Sequence, residues 1–233
     1  MKETAMLPLI RISRVLAGVF CLAGSAVASP LVQKSISDDL TLSDLPTGGT
    51  LSTISGDLTL GSVSGPLSIR TVSGNITVRS ATDRTEIHTV SGDVRLGHAD
   101  GSLTIHAISG DMSLGAVNRD VNIKSTSGDV VLTVPAPAGT PRIIDLTTVS
   151  GDVTLHLSPG FSGTFNIRAV QSSHDSTFPV EQALGLTVAT GEWESHVLSS
   201  TKTRTVTVTG SVNGGRDQIH IKTTSGKVRL VQD

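Results

Sequence analysis

Val90-Ser91-Gly92-Asp93-Val94-Arg95-Leu96 is one copy of a phrase that runs through the middle of the chain: an apolar residue, Ser-Gly, commonly Asp or Asn, then alternating apolar and polar residues. Ile54-Ser55-Gly56-Asp57 and Val72-Ser73-Gly74-Asn75 open earlier copies. Ile108-Ser109-Gly110-Asp111 and Thr126-Ser127-Gly128-Asp129 open later ones. The serines at 55, 73, 91, 109 and 127 are spaced by 18 residues. Halfway between them Ser64, Thr82, Asp100 and Asn118 mark a weaker second corner. A fixed period of this length points to a repeat architecture before any other reading.

Each nine-residue half holds a turn and about five strand residues, whose period-2 alternation is the mark of a sheet with one buried face. Two halves make an 18-residue coil with two walls. Superposing the coils stacks Leu58, Ile76, Val94, Met112 and Val130 in one inward column and Leu60, Val78, Leu96, Leu114 and Leu132 in the next. The opposite wall stacks Ile69, Ile87, Ile105 and Ile123 beside Leu67, Thr85, Leu103 and Val121. No coil can bury its own apolar face, so its neighbours must cover it. The expected fold is all-β, a β-solenoid or β-helix-like stack of two-strand coils. An antiparallel meander with a hairpin every nine residues would use the same alternation, but it has no reason to repeat at 18 rather than nine.

Gly56, Gly74, Gly92, Gly110, Gly128, Gly151 and Gly226 fall at the corner that follows each serine, where positive φ and close approach between coils favour glycine. Asp57, Asp93, Asp111, Asp129 and Asp152 come next and can bond back to the backbone. These twelve residues read as structural turns. Carboxylates stacked about 4.8 Å apart could instead bridge through an oxygen-loving cation. With one glycine per corner the chain lacks the denser pattern of calcium-binding nonapeptide repeats, so no metal site is assigned. The residues name no cofactor and no catalytic group.

Residues 1–28 read as a secretory signal: Lys2, Arg11 and Arg14 give a basic start, Val15 to Ala28 is apolar and small, and Ala26-Val27-Ala28 predicts cleavage before Ser29. The competing reading, an uncleaved anchor, needs a longer apolar run. Cys21 is the single cysteine and lies inside this segment; Val19 and Phe20 before it argue against lipidation. Residues 29–49 read as a lead-in and cap, and 50–233 as the repeat domain, with irregular segments at 133–142 and 170–200. The last phrase, Ser225-Gly226-Lys227-Val228-Arg229-Leu230, is expected to seal the C-terminal end. The formal charge of -2 gives no footprint for nucleic acid. No segment of the mature chain is long and apolar enough to span a membrane as a helix.

Outward positions such as Thr59, Thr77, Arg95 and Ser113 on one wall and Ser68, Glu86, Thr104 and Asn122 on the other predict an even, polar surface without a groove. His88 and His106, 18 apart, should stack in one outward column between Arg70 and Lys124; His98, His196 and His220 fit no column. Trp193, the only tryptophan, reads as a core or capping ring, with a carbohydrate platform as the functional alternative. Converging acids could arise only where the period fails, from Asp145, His174, Asp175, Glu181, Glu192 and Glu194 around Trp193.

The repeated V-S-G-D-V-x-L phrase after a signal segment resembles a bacterial domain family of unknown function that carries an adhesin label (DUF4097-like). Ser91-Gly92-Asp93-Val94-Arg95-Leu96 and Ser150-Gly151-Asp152-Val153-Thr154-Leu155 match its repeat, and Ile221 to Leu230 resembles its closing segment; the likeness covers roughly residues 40–233. The resemblance implies a right-handed β-helix-like fold, an exported or envelope location and no catalytic residues to carry over. Asp is missing at Ser64-Gly65-Pro66 and Ser225-Gly226-Lys227, which departs from the family's plainest pattern. Two functions follow as expectations. One is a non-catalytic periplasmic or cell-surface scaffold or adhesin-like module for an envelope protein or glycan, with self-association through its ends left open. The other is a polysaccharide-acting β-helix enzyme.

Overall fold

The structure, a computed structural model, describes residues 30–136, 139–175, 178–195 and 201–232. The signal reading at 1–28 lies outside them, as does His196. The described chain forms two walls of parallel strands. In wall A, Leu31–Ser35, Gly49–Ser55, Leu67–Ser73, Thr85–Ser91, Leu103–Ser109, Val121–Ser127 and Ile143–Ser150 lie side by side. In wall B, Leu40–Leu45, Leu58–Val63, Ile76–Ala81, Val94–Ala99, Met112–Val117, Val130–Val134 and Val153–Leu157 do the same.

The pairing is parallel and in the 18-residue register, so the hairpin meander is excluded. Ile69 sits opposite Ile87, Ile87 opposite Ile105, and Ile105 opposite Ile123. Each of these isoleucines is at most 1% exposed. Burying such a side chain is worth about 1.5–3 kcal/mol, and a column of them gains only because the coils above and below close over it. The inward columns expected from the alternation are all buried, Thr85 included; its hydroxyl donates to the Asp83 carbonyl at 3.2 Å.

The stack starts earlier than its clear phrases do. Leu31 pairs with Gly49 and Leu40 with Leu58, so residues 31–45 are a full coil in register rather than an irregular cap.

At the other end, sequence order and spatial order part. Gly163–Ser172 does not pair with Ile143–Ser150; a gap one strand wide separates them. The chain runs on through Val180–Gln182, Thr187–Thr190 and Glu194–Ser195, returns along Lys202–Val212 antiparallel to Gly163–Ser172, and turns at Asn213, whose φ is +49°. Asp217–Ser225 then fills the gap in wall A, and Val228–Gln232 fills the matching gap in wall B between Val153–Leu157 and Val180–Gln182. The C-terminal coil therefore lies inside the stack and does not seal it. Neighbours in sequence are usually neighbours in a sheet, and this coil is an exception.

A buried ion pair pins the inserted coil. Asp217 accepts from the Arg142 backbone N–H at 3.0 Å and from its guanidinium Nε at 2.9 Å. Arg142 also donates to the carbonyls of Val117 and Pro135, at 3.0 and 2.7 Å. Both residues are buried, and the desolvation of each charge is met by the other and by backbone oxygens. Phe161 and Phe165, ring centroids 5.8 Å apart, fill the interior beside them.

Candidate functional site

The Ser-Gly corners are structural, and the geometry shows how. Gly56, Gly74, Gly92, Gly110, Gly128, Gly151 and Gly226 all have φ between +113° and +147°. A Cβ on Gly92 would stand 2.2 Å from the carbonyl oxygen of Gly74 on the coil before. The following acid or amide links coil to coil: Asp39 accepts the Asp57 N–H, Asp57 that of Asn75, Asn75 that of Asp93, and Asp93 that of Asp111. Asp111 accepts from Asp129, Asp129 from Asp152, and Asp152 from Lys227. Each carboxylate replaces the water an exposed corner amide would need. Lys227 ends this series, which accounts for its place where the other corners carry an acid or amide. Among the described residues no group of three or more His, Cys, Asp or Glu is placed to hold a metal ion.

The outer face of wall A is where the polar-surface expectation fails. Three rows of side chains point outward along it. The first holds Thr50, Ser68, Glu86, Thr104, Asn122, Asp145 and His220, so His220 does belong to a column. The second holds Lys34, Ser52, Arg70, His88, His106, Lys124, Thr147, Lys222 and Arg168. The third holds Ile54, Val72, Val90, Ile108, Thr126 and Val149, the residue before each Ser-Gly. Ile54 is 54% exposed, Val72 48%, Val90 43% and Ile108 54%. Between the second and third rows runs a groove of about 610 Å³, floored by the small inward residues Thr71, Thr89, Ala107 and Ser125. A second hollow of about 370 Å³ continues past Lys124 toward Arg168 and Lys222.

The second row brings Arg70, His88, His106 and Lys124 together as the spacing predicted. The two imidazoles are stacked, 5.0 Å between centroids and 11° from parallel. His88 Nε2 lies 2.6 Å from Glu86 Oε1, and Arg84 reaches the other oxygen at 3.6 Å. The hydrogen bond with His88 holds the Glu86 carboxyl below its usual range against a smaller effect of burial. His106 is pushed the other way from the usual histidine: burial comes first, then the like charges of His88 and Lys124, all lowering its pKa, with Glu86 alone opposing. Among the described residues neither Arg70 nor Lys124 has a salt-bridge partner. The face thus offers Arg70 and Lys124, which lack a salt bridge among the described residues, on one lip of a groove and aliphatic surface on the other.

The outer face of wall B is different. Thr41, Thr59, Thr77, Arg95 and Ser113 form its row, and Arg95 pairs with Asp93 of its own strand's corner at 3.0 Å. His98 stands in a wall B column with Ser80 and Ala116 and bonds Asp100 at 3.0 Å, so it too has a register position.

The acids expected around Trp193 gather only in part: Glu194 lies opposite Thr203, and so does Ser172, whose N–H Asp175 accepts. Asp145 is on the outer face of wall A. Glu181 is on wall B, bonded to Arg229 at 2.9 Å, and Asp175 caps its own turn by accepting the Ser172 N–H. Trp193 is 41% exposed and lies under the Arg204 guanidinium, 4.6 Å from its ring centroid. It is not a core ring.

The apolar row was in plain sight in the sequence, since most phrases begin with it, Thr126 and Thr224 excepted. The signal that places it is parity: Ile69 and Thr71 point inward, so Val72 must point outward. Arg142 and Asp217 carry no such signal, being 75 residues apart with no shared motif.

In comparisons with known proteins, the family model described as Toastrack DUF4097 matches residues 28–177, more than half of the chain. No curated protein and no solved structure matches it.

Proposed function

From the premise that this chain belongs to the Toastrack DUF4097 family, we propose that it is an exported, non-catalytic binding scaffold whose rigid stack presents the outer face of wall A to an elongated envelope partner. The observation that carries this is the exposed aliphatic row Ile54, Val72, Val90, Ile108 beside a basic row in which Arg70 and Lys124 have no salt-bridge partner among the described residues. Monomeric proteins rarely leave contiguous apolar surface of this kind uncovered without a use for it. Thr would serve strand propensity as well while staying soluble, and it does so at neighbouring outward positions and at Thr126 in this same row. The basic start, apolar run and Ala26-Val27-Ala28 support export, with a mature chain beginning at Ser29 in the periplasm or at the cell surface. Among the described residues no helix is long and apolar enough to cross a membrane.

The test is capture from an envelope fraction by three immobilised proteins: the mature chain, a Val72→Thr/Val90→Thr double variant, and an Arg95→Ala variant of wall B. A component retained by the first and third and lost from the second is the expected result. Equal capture by all three would overturn the assignment of the binding face.

A further inference from the structure

We propose that the wall A groove receives an amphipathic α-helix of a partner protein, one that carries an acidic row beside an aliphatic row. The inference deepens the binding-scaffold reading and rests on it. Two features select this occupant: the chemistry of the two lips and the spacing between coils.

The chemistry is paired over the three middle coils of the groove. At each coil level from 70 to 108 a cationic or imidazole side chain stands two residues before an aliphatic one: Arg70 with Val72, His88 with Val90, and His106 with Ile108. Lys124 extends the basic row by one coil and Ile54 extends the aliphatic row by one at the other end. Glu86, beside the basic row, is engaged by His88 and Arg84, and Asp145 shares the second hollow with Lys124. A purely anionic polymer would satisfy the first lip and leave the second in water. A purely apolar partner would bury Arg70 and Lys124 without a counter-charge, which is costly. A second copy docked through the same face would have to keep its own basic row from meeting this one. A partner with acidic and aliphatic rows side by side satisfies both lips at once.

The spacing selects a helix among such partners. Neighbouring strands of a sheet, and so the coils, lie about 4.8 Å apart, and the stacked His88 and His106 ring centroids stand 5.0 Å apart. A helix lying along the groove presents a same-face residue about every 5.4 Å, one turn per coil, and drifts from the ladder by about 0.6 Å at each step. A β-strand laid along it repeats on one face about every 6.8 Å and falls out of step by about 2 Å at each coil. Four coils of ladder correspond to roughly ten to thirteen helical residues, a common length for a groove-bound helix read through i, i+4 and i+7 anchors.

The experiment uses the mature chain and synthetic peptides of about sixteen residues. The first peptide repeats Glu at i, i+4, i+7 and i+11 with Leu in the adjacent row. The second has the same composition with Glu and Leu alternating at period two, and the third has Lys in place of Glu. Binding is followed by fluorescence anisotropy at low salt, with heparin as an anion that lacks an aliphatic row. The first peptide is expected to bind at least about tenfold tighter than either of the others. Arg70→Ala/Lys124→Ala and Val72→Thr/Val90→Thr should each weaken it by about tenfold, and Arg95→Ala should leave it unchanged. All these side chains point outward, and circular dichroism with a thermal melt verifies that each variant is folded. Equal binding of the period-two peptide would overturn the helix. So would binding that heparin matches and the threonine substitutions do not affect, which would mark a site for anions alone. Dimerisation of the mature chain that the same threonine substitutions abolish would replace the helix by a second copy. If the helical peptide fails while envelope capture still depends on Val72 and Val90, the occupant is wrong and the binding face stands; if capture is also indifferent to them, the face itself is wrong.

Discussion

The two halves of a coil are written in nearly the same words and fold out of phase. Ile54-Ser55-Gly56 closes a wall A strand and Val63-Ser64-Gly65 closes the next wall B strand, yet Ile54 is 54% exposed and Val63 is 1% exposed. The wall A strand Leu67–Ser73 alternates without interruption, so the residue before its serine points outward. The wall B strands carry one extra residue near their ends: Gly61 and Ser62 both stand between inward Leu60 and inward Val63, and the coils repeat this in register, Leu45 pairing with Val63 and Ala99 with Val117. One extra residue exchanges the faces of everything that follows. Val63, Ala81, Ala99 and Val117 are thereby turned into the core, while Ile54, Val72, Val90 and Ile108 are left in solvent. An apolar residue at this point of the phrase is a core residue in one wall and surface in the other.

The largest expected effect concerns how far wall A's rows extend, since Val149, Thr224 and the strand beyond are contiguous only if the last coil stays inserted. Asp217→Ala leaves the Arg142 charge buried without its partner and should cost about 3–5 kcal/mol, read as a fall in the urea midpoint together with exposure of the C-terminal coil to protease. A loss below about 1 kcal/mol would mean that the inserted coil is held by something else.

Next comes the corner that the exposed row leads into. Gly92→Val places its Cβ against the Gly74 carbonyl at a φ of +132° and should cost about 3 kcal/mol. Gly214, with φ of +90° and nothing within 4 Å, isolates the backbone term, and Gly214→Ala should cost only about 1 kcal/mol. Equal losses would show that approach between coils is not what the corner glycines serve.

The phase difference itself predicts an asymmetry between two identical substitutions. Val117→Thr puts a hydroxyl into the core and should cost about 1–3 kcal/mol, whereas Val90→Thr on the exposed row should stay within about 0.5 kcal/mol. Denaturant melts with the two losses reversed or equal would break the comparison.

Much of this was legible in sequence. The 18-residue period settled the coils, and the alternation assigned Ile69, Ile87, Ile105 and the wall B columns to the core, because burial and strand parity are local properties. The stacking of His88 on His106 followed from the same period. The alternation as read over the strand residues gives Ile54, Val72, Val90 and Ile108 no face; continuing the parity from Ile69 through to the serine places them outward. The inserted coil and the Arg142–Asp217 pair were not legible, since they depend on which gap a distant segment fills, and no local pattern encodes that.

A smaller effect is expected from pH. The folded protein holds the His106 pKa below its ordinary value of 6.5, through burial and the nearby His88 and Lys124. The unfolded chain therefore takes up this proton first, and the contribution is whole above pH 6.5 and lost as pH falls from there toward the folded value. Between pH 7.5 and 5.5, conditions chosen to bracket about one unit either side of a histidine, the wild type should lose slightly more stability than His106→Asn. A larger loss in the variant would contradict the direction.

Most direct is a measurement of which half-coil faces water. Cys21 is the only cysteine and precedes the expected mature start, so single thiols can be read without background. Val90→Cys and Val117→Cys in the mature chain are treated with a maleimide under native conditions and the labelling rates compared. The Val90→Cys thiol should react nearly as fast as in an unfolded peptide, and the Val117→Cys thiol only as fast as the protein unfolds. Labelling of both at the same rate, or protection of the first and not the second, would contradict the one-residue phase difference on which the groove and its proposed role rest.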